Sequence, residues 1–141
     1  MKNKVGITTT LLLLSIMIQH AAFGQNLEKH QWKSRVLLIL SQNENNDQFK
    51  EQIAQFTNET ALEKRKLVLY KVSPESYILE EKRINSSVLF ERYIKDKEAF
   101  RVVLIGLDGG VKLSQSNPLI SQDLFRIIDS MPMRRSEIRR K

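Results

Sequence analysis

The chain has 141 residues, of which 41% are hydrophobic and 28% are charged, and its formal net charge is +7 at pH 7. This composition is typical of one globular domain and excludes a disordered or fibrous chain. The chain contains no cysteine, which excludes disulfides, thiol redox catalysis, iron–sulfur clusters and cysteine-based zinc sites.

Residues 1–24 have the pattern of a secretory signal peptide. Lys2 and Lys4 form a basic region, residues 11–18 form an apolar segment, and residues 22–24 form a small-residue cleavage site. We therefore expect cleavage after Gly24 and a secreted or periplasmic protein. The alternative is an uncleaved membrane anchor, because residues 5–23 are nearly long enough to cross a bilayer. After cleavage we expect no transmembrane span.

The first third of the remaining chain predicts a β-α-β unit. Residues 35–40 are an unbroken apolar run, which indicates a strand buried on both faces. A polar loop follows over residues 41–47, and apolar residues then recur at helical spacing, which predicts one amphipathic helix over residues 47–62. Residues 66–72 predict a second strand, parallel to the first.

The pattern of residues 73–99 is mixed, because Ser73 and Pro74 are typical of a helix start whereas the apolar residues 77–79 are contiguous. A helix over residues 87–97 has the clearer periodicity.

The C-terminal third predicts a hairpin followed by a helix. Residues 101–107 and 111–114 predict two antiparallel strands joined by an Asp-Gly-Gly turn. Ser121 is expected to cap a final helix that ends near Pro132.

This order of elements, β-α-β-α-β-β-α, predicts an α/β protein of the thioredoxin-like class, with a four-stranded mixed sheet flanked by helices. We expect residues 25–133 to form one domain. Residues 134–141 are expected to form a basic C-terminal tail, because they hold five basic residues and one acidic residue.

Three segments of the sequence stand out, WKSRVLL at residues 32–38, VVLIGLDGGVKL at residues 102–113 and IDSMPMR at residues 128–134. Together they resemble the DUF4174 family. The resemblance implies a peroxiredoxin-like, thioredoxin-fold domain of secreted proteins, and it implies a fold more than an activity.

Two departures from redox-active thioredoxin-like proteins are visible in this sequence. In those proteins the nucleophilic cysteine lies between the first strand and the first helix, and a proline precedes the third strand. Here residues 41–47 contain no cysteine and residues 98–100 contain no proline. We therefore expect no peroxidase or oxidoreductase chemistry.

The leading functional hypothesis is a non-catalytic binding module with two candidate binding regions. The first is a candidate ligand loop, where backbone N–H groups at a helix start could hold a polar ligand. Its residues are Ser41, Asn43, Asn45 and Asn46. Simple helix capping is the competing interpretation.

The second candidate region is a partner surface of aromatic and basic residues, namely Trp32, Arg35, Lys112, Arg134, Arg135, Arg139 and Arg140. Core packing of Trp32 and a solvated helix end are the competing interpretations here.

The sequence predicts no catalytic residue, no metal and no cofactor. His30 is the only histidine after the expected cleavage site, and no second histidine or cysteine is present to complete a metal site.

Outside the cytoplasm, an unknown protein or an acidic envelope or matrix component is favoured as the partner over nucleic acid. The alternative is an enzyme or redox-auxiliary protein that uses the loop of residues 41–47. A cleft converging on Ser41 with a shifted carboxylate pKa would favour that alternative.

Overall fold

The computed structural model describes residues 27–74, 76–79, 82–85, 87–95 and 97–140, so the predicted signal peptide lies outside the described residues. The strands are β1 (Arg35–Ser41), β2 (Leu67–Val72), β3 (Ser76–Leu79), β4 (Lys82–Asn85), β5 (Phe100–Ile105) and β6 (Val111–Gln115). The helices are α1 (Asp47–Ala54), α2 (Glu59–Lys64), α3 (Ser87–Tyr93), α4 (Ser121–Ser130) and α5 (Pro132–Arg139).

Strand β1 is the centre of the core. It pairs in parallel with β2 and antiparallel with β5, and all seven of its residues are buried. Because successive side chains of a strand point to opposite faces, β1 supplies both hydrophobic clusters. Val36 and Leu38 pack with α3 residues such as Leu89, whereas Leu37 packs with α4 residues such as Leu124. Burial on both faces explains why the strand is an unbroken apolar run.

The predicted α/β class and mixed sheet are confirmed, and the sheet is wider than predicted. The four predicted strands are present, and a β3–β4 hairpin extends the sheet to the order β4-β3-β2-β1-β5-β6. The hairpin pairs antiparallel with the outer side of β2. Residues 77–79 therefore belong to a strand, in agreement with their contiguous apolar pattern, and the mixed signal before them was not a helix start.

The helix predicted over residues 47–62 is two shorter helices. Helix α1 ends at Ala54, and α2 begins at Glu59. Asn58 begins the second helix, because its Oδ1 accepts a hydrogen bond from the backbone N–H of Ala61 at 3.0 Å. Asparagine is among the strongest N-cap residues, so it favours a new helix start over continuation. The helix predicted over residues 87–97 is also shorter and ends at Tyr93.

The C-terminal region contains two helices where one helix and a tail were predicted. Ser121 does not cap α4, since Ile120 occupies the cap position and no side chain caps this end. Pro132 follows the end of α4 but is also the first residue of α5, where a missing N–H costs little. Most of the predicted basic tail is therefore helical.

The Asp-Gly-Gly turn between β5 and β6 is confirmed. Gly109 has a φ of +80°, which glycine adopts without strain. Asp108 holds the turn, because its Oδ1 accepts from the backbone N–H of Gly110 at 3.1 Å. Among the described residues, no helix is long and apolar enough to cross a membrane.

Candidate functional site

The polar groups of the loop after β1 bond to one another. Ser41 is fully buried, and its Oγ lies 2.7 Å from the carbonyl oxygen of Asn43 and 3.1 Å from that of Ala99. The Oδ1 of Asn43 accepts from the backbone N–H of Asn45 at 2.8 Å. The Oδ1 of Asn46 accepts from the backbone N–H of Phe49 at 3.1 Å and caps α1. Three of the four candidate loop residues thus have structural roles, and only Asn45 is simply exposed.

The segment before β5 closes the same loop from the other side. Ala99 accepts hydrogen bonds from the backbone N–H of Gln42 and from the Ser41 hydroxyl. Beside it, Glu98 receives two hydrogen bonds from Arg101, at 2.8 and 2.7 Å. These hydrogen bonds hold the pKa of Glu98 below its ordinary value. The shifted carboxylate is therefore the partner of an arginine, with both of its oxygens in use.

The structure divides the candidate partner surface into exposed and buried residues. The exposed members are Trp32, Lys112, Arg135, Arg139 and Arg140. In contrast, Arg35 is 1% exposed and Arg134 is 8% exposed, so neither lies on the surface. The two arginines are therefore not exposed parts of the predicted partner surface. Arg35 is the first residue of β1 and Arg134 lies in α5, and the sequence alone does not distinguish an arginine that points outward from one that points inward at these positions.

Arg35 and Arg134 belong instead to an ion-pair cluster between the start of β1 and helices α4 and α5. Arg134 donates to Asp129 at 3.1 Å and to Glu137 at 3.2 Å. Arg65 donates to Asp129 at 2.5 Å, and Arg35 approaches Glu137 at 3.4 Å. Sequence reasoning missed this cluster, since Arg35 and Arg65 are far along the chain from Asp129, Arg134 and Glu137, and the sequence does not show which of these charges meet.

The two carboxylates of the cluster remain ionised more readily than free side chains. Burial raises the pKa of Asp129, but hydrogen bonds from Arg65 and Arg134 outweigh that effect and lower it overall. Burial also raises the pKa of Glu137, and the attraction of Arg35 together with the hydrogen bond from Arg134 reverses the shift. Both pKa values lie below their ordinary range, so the cluster is charged at neutral pH.

A cavity of about 240 Å³ lies between the β5–β6 turn and the start of α5. Its lining residues are Arg35, Gly106, Leu107, Asp108, Lys112, Met131, Pro132 and Met133. Trp32 is tied to this region, because its backbone N–H donates to the carbonyl oxygen of Leu107 at 2.6 Å. The cavity is therefore lined by two residues of the predicted partner surface, the buried Arg35 and the exposed Lys112, and Trp32 is hydrogen-bonded to a third lining residue, Leu107.

His30 lies in a second cavity, of about 200 Å³, next to the sheet. Its Nε2 is 2.7 Å from the hydroxyl oxygen of Tyr70, which is fully buried. The hydrogen bond pairs the two polar groups at the edge of the core. Among the described residues, no group of three or more histidines and carboxylates is arranged to hold a metal ion.

The architecture is that of the thioredoxin-like class. The fold is similar to the crystal structure of a reduced 2-Cys peroxiredoxin from Plasmodium vivax, with a TM-score of 0.55, 16% sequence identity, and coverage of 78% of this chain and 72% of that chain. At this identity the similarity shows the fold alone. The profile of the family described as "Domain of unknown function (DUF4174)" matches residues 26–137, so the chain belongs to that family. A search of curated proteins found no match.

Proposed function

We propose that this protein is a secreted binding domain without catalytic activity, and that it binds an acidic partner through α5. The observation that carries the proposal is the closed loop after β1. In a chain without cysteine, the Ser41 hydroxyl and the amide oxygens of Asn43 and Asn46 are all bonded within the loop and its neighbours. This arrangement supports a binding role over the enzyme or redox-auxiliary alternative.

The charge distribution of α5 supports an acidic partner. The only acidic residue of this helix, Glu137, faces Arg35 and Arg134 in the ion-pair cluster. Among the described residues of α5 and Arg140, the exposed charges are consequently all positive. They belong to Arg135, Arg139 and Arg140, which we call the basic face. A surface of one charge sign attracts partners of the opposite sign and loses that attraction as salt screens it.

The binding proposal is tested with substitutions in the basic face. We would measure retention of the chain lacking residues 1–24 on immobilised poly-glutamate and on an extract of the secreted and envelope fractions. The variant R135Q/R139Q/R140Q is compared with R126Q, because Arg126 is 78% exposed on another helix. We expect the triple variant to lose retention and R126Q to keep it, with high salt abolishing binding of both the parent chain and R126Q. Retention that survives the triple substitution and high salt would contradict the proposal.

The proposal of secretion rests on the sequence of residues 1–24. N-terminal sequencing of the protein recovered from its native host is expected to give Gln25 as the first residue. Recovery of an intact N-terminus in the membrane fraction would instead support the anchor.

A further inference from the structure

We propose that the cavity between the β5–β6 turn and the start of α5 receives a carboxylate side chain of the acidic partner, and that Arg35 binds it. The inference rests on the proposed function, since it names the chemical group that the partner presents. We call this cavity the Arg35 cavity.

Arg35 has one edge of its guanidinium without a partner. Its Nη1 donates to the carbonyl oxygen of Arg65 at 2.8 Å and approaches Glu137 at 3.4 Å. Among the described residues, nothing accepts a hydrogen bond from its Nε or its Nη2, although both atoms are buried. A buried charged donor without an acceptor is costly. The site as it stands therefore lacks an acceptor.

The unpartnered edge has a specific chemical complement. In arginine, Nε–H and one Nη2–H point in the same direction and donate two parallel hydrogen bonds to the two oxygens of a carboxylate. A single spherical anion cannot match both donors in this way. The geometry of the free edge therefore favours a carboxylate over a halide.

The surrounding charges also favour an anion. In the described cluster, four cations face the two carboxylates of Asp129 and Glu137. Glu137 is shared by Arg35, Lys66 and Arg134, so Arg35 has no carboxylate of its own. An incoming carboxylate would supply the missing negative charge where it is least screened by water.

The walls of the Arg35 cavity add to this preference. The start of α5 lines the cavity, and the positive end of the helix dipole attracts anions. Lys112 and Asp108 also line it, and they form an ion pair of 2.6 Å. Asp108 would repel a carboxylate, but Lys112 and the Gly110 N–H already compensate its charge.

The rim of the cavity fits a side chain carried on a protein better than a free small molecule. Met133 lines the cavity and is 41% exposed. Trp32 is 63% exposed, and its backbone N–H donates to Leu107, one of the lining residues. Trp32 is held at a φ of +63°, which is unfavourable for a residue with a bulky side chain. Aromatic residues and methionine are enriched in protein-binding surfaces.

The side-chain Nε–Hε resonance of Arg35 reports binding directly. We would titrate the chain lacking residues 1–24 with sodium acetate, with sodium chloride at equal ionic strength, and with the peptides N-acetyl-Gly-Asp-Gly-amide and N-acetyl-Gly-Asn-Gly-amide. We expect a saturable shift of the Arg35 resonance with acetate and with the aspartate peptide. Chloride and the asparagine peptide should leave the Arg35 resonance unchanged. The resonance of Arg126, the exposed control, should not shift with any of these probes. If the rim contributes, the aspartate peptide binds about tenfold more tightly than acetate.

A second variant keeps Arg35 in place and closes the cavity. Met133 is exposed, so M133W is expected to fold normally while abolishing the acetate-induced shift. An equal shift with chloride, or no shift with any probe, would overturn the carboxylate site. A shift with acetate but none with the aspartate peptide would overturn the proposed source, because it would indicate a free small carboxylate.

The two proposals fail in different ways. If R135Q/R139Q/R140Q abolishes retention on poly-glutamate while the Arg35 resonance never shifts, the proposed function stands and the Arg35 site is overturned. If the Arg35 resonance shifts with acetate and the aspartate peptide but the parent chain is not retained on poly-glutamate, the site stands and the basic face is overturned.

Discussion

The Nη1 of Arg35 lies 3.4 Å from the Oε2 of Glu137, a residue 102 positions later in the chain. This contact joins the start of the central strand β1 to the C-terminal helix α5. Arg134 donates to the same carboxylate oxygen at 3.2 Å. Helix α5 is therefore part of the packed structure, and the family match extends into it, to residue 137.

Deleting residues 134–141 should destabilise the whole domain. The deletion removes the buried Arg134 and leaves the buried Arg35 without a carboxylate. Loss of one partner from a buried ion pair typically costs about 3 kcal/mol or more. Urea unfolding followed by circular dichroism measures the change. The variant R135Q/R139Q/R140Q is the control, because its exposed substitutions should alter the free energy of unfolding by no more than about 0.5 kcal/mol. Equal stability of the truncated and complete chains would refute the role we assign to α5.

The stability of the domain should fall as the pH is lowered into the acid range. The pKa values of Glu137 and Asp129 are lowered in the folded protein, from ordinary values of 4.5 and 3.8. The unfolded chain therefore takes up protons first, so the stabilisation is complete above about pH 5 and is lost as the pH falls through the folded pKa values. Urea unfolding midpoints between pH 7 and pH 3 would show the loss. E137Q should flatten this pH dependence, and an unchanged slope in E137Q would speak against the contribution of Glu137.

Replacing Gln52 should be among the more damaging single substitutions outside the apolar core. Gln52 is fully buried in α1, and its amide bonds to both backbone groups of Leu119, at 2.9 Å and 2.5 Å. In Q52L the N–H and C=O of Leu119 lose their partners, which should cost about 2 to 4 kcal/mol. Thermal or urea unfolding tests this value against Q122L, an exposed control in α4. A difference between the two variants of less than about 1 kcal/mol would be inconsistent with the paired hydrogen bonds.

Substitutions in the loop after β1 should leave binding unchanged, and only those that remove a structural hydrogen bond should reduce stability. N46A removes the side-chain cap of α1 and should cost about 1 kcal/mol of unfolding free energy. Asn45 is exposed, so N45A is the matched control and should be close to neutral. Both variants should retain poly-glutamate binding equal to that of the parent chain. A loss of binding in either variant, with the fold intact, would restore this loop as the ligand site.

Local sequence patterns correctly predicted the elements whose structure is decided by residues adjacent in the sequence. The apolar run of β1, the Asp-Gly-Gly turn and the final helix before Pro132 each lie where predicted, because a strand buried on both faces, a positive φ and an amphipathic helix all have short-range signatures. The predictions failed where two local signals competed. At Asn58 a capping side chain outweighed the helical spacing of the apolar residues, and at residues 76–85 a strand pair formed where the pattern was mixed.

The amino-acid sequence by itself determined the thioredoxin-like class and the family, and it contains no cysteine, since these features depend on composition and on the order of elements along the chain. Only the tertiary structure decided which arginines are buried. Arg35 and Arg139 are both basic residues beside apolar ones, and their environments differ because Glu137 reaches one of them across 102 residues of chain. Charge pairing depends on distance in space, and that distance exists only after the sheet and helices have packed.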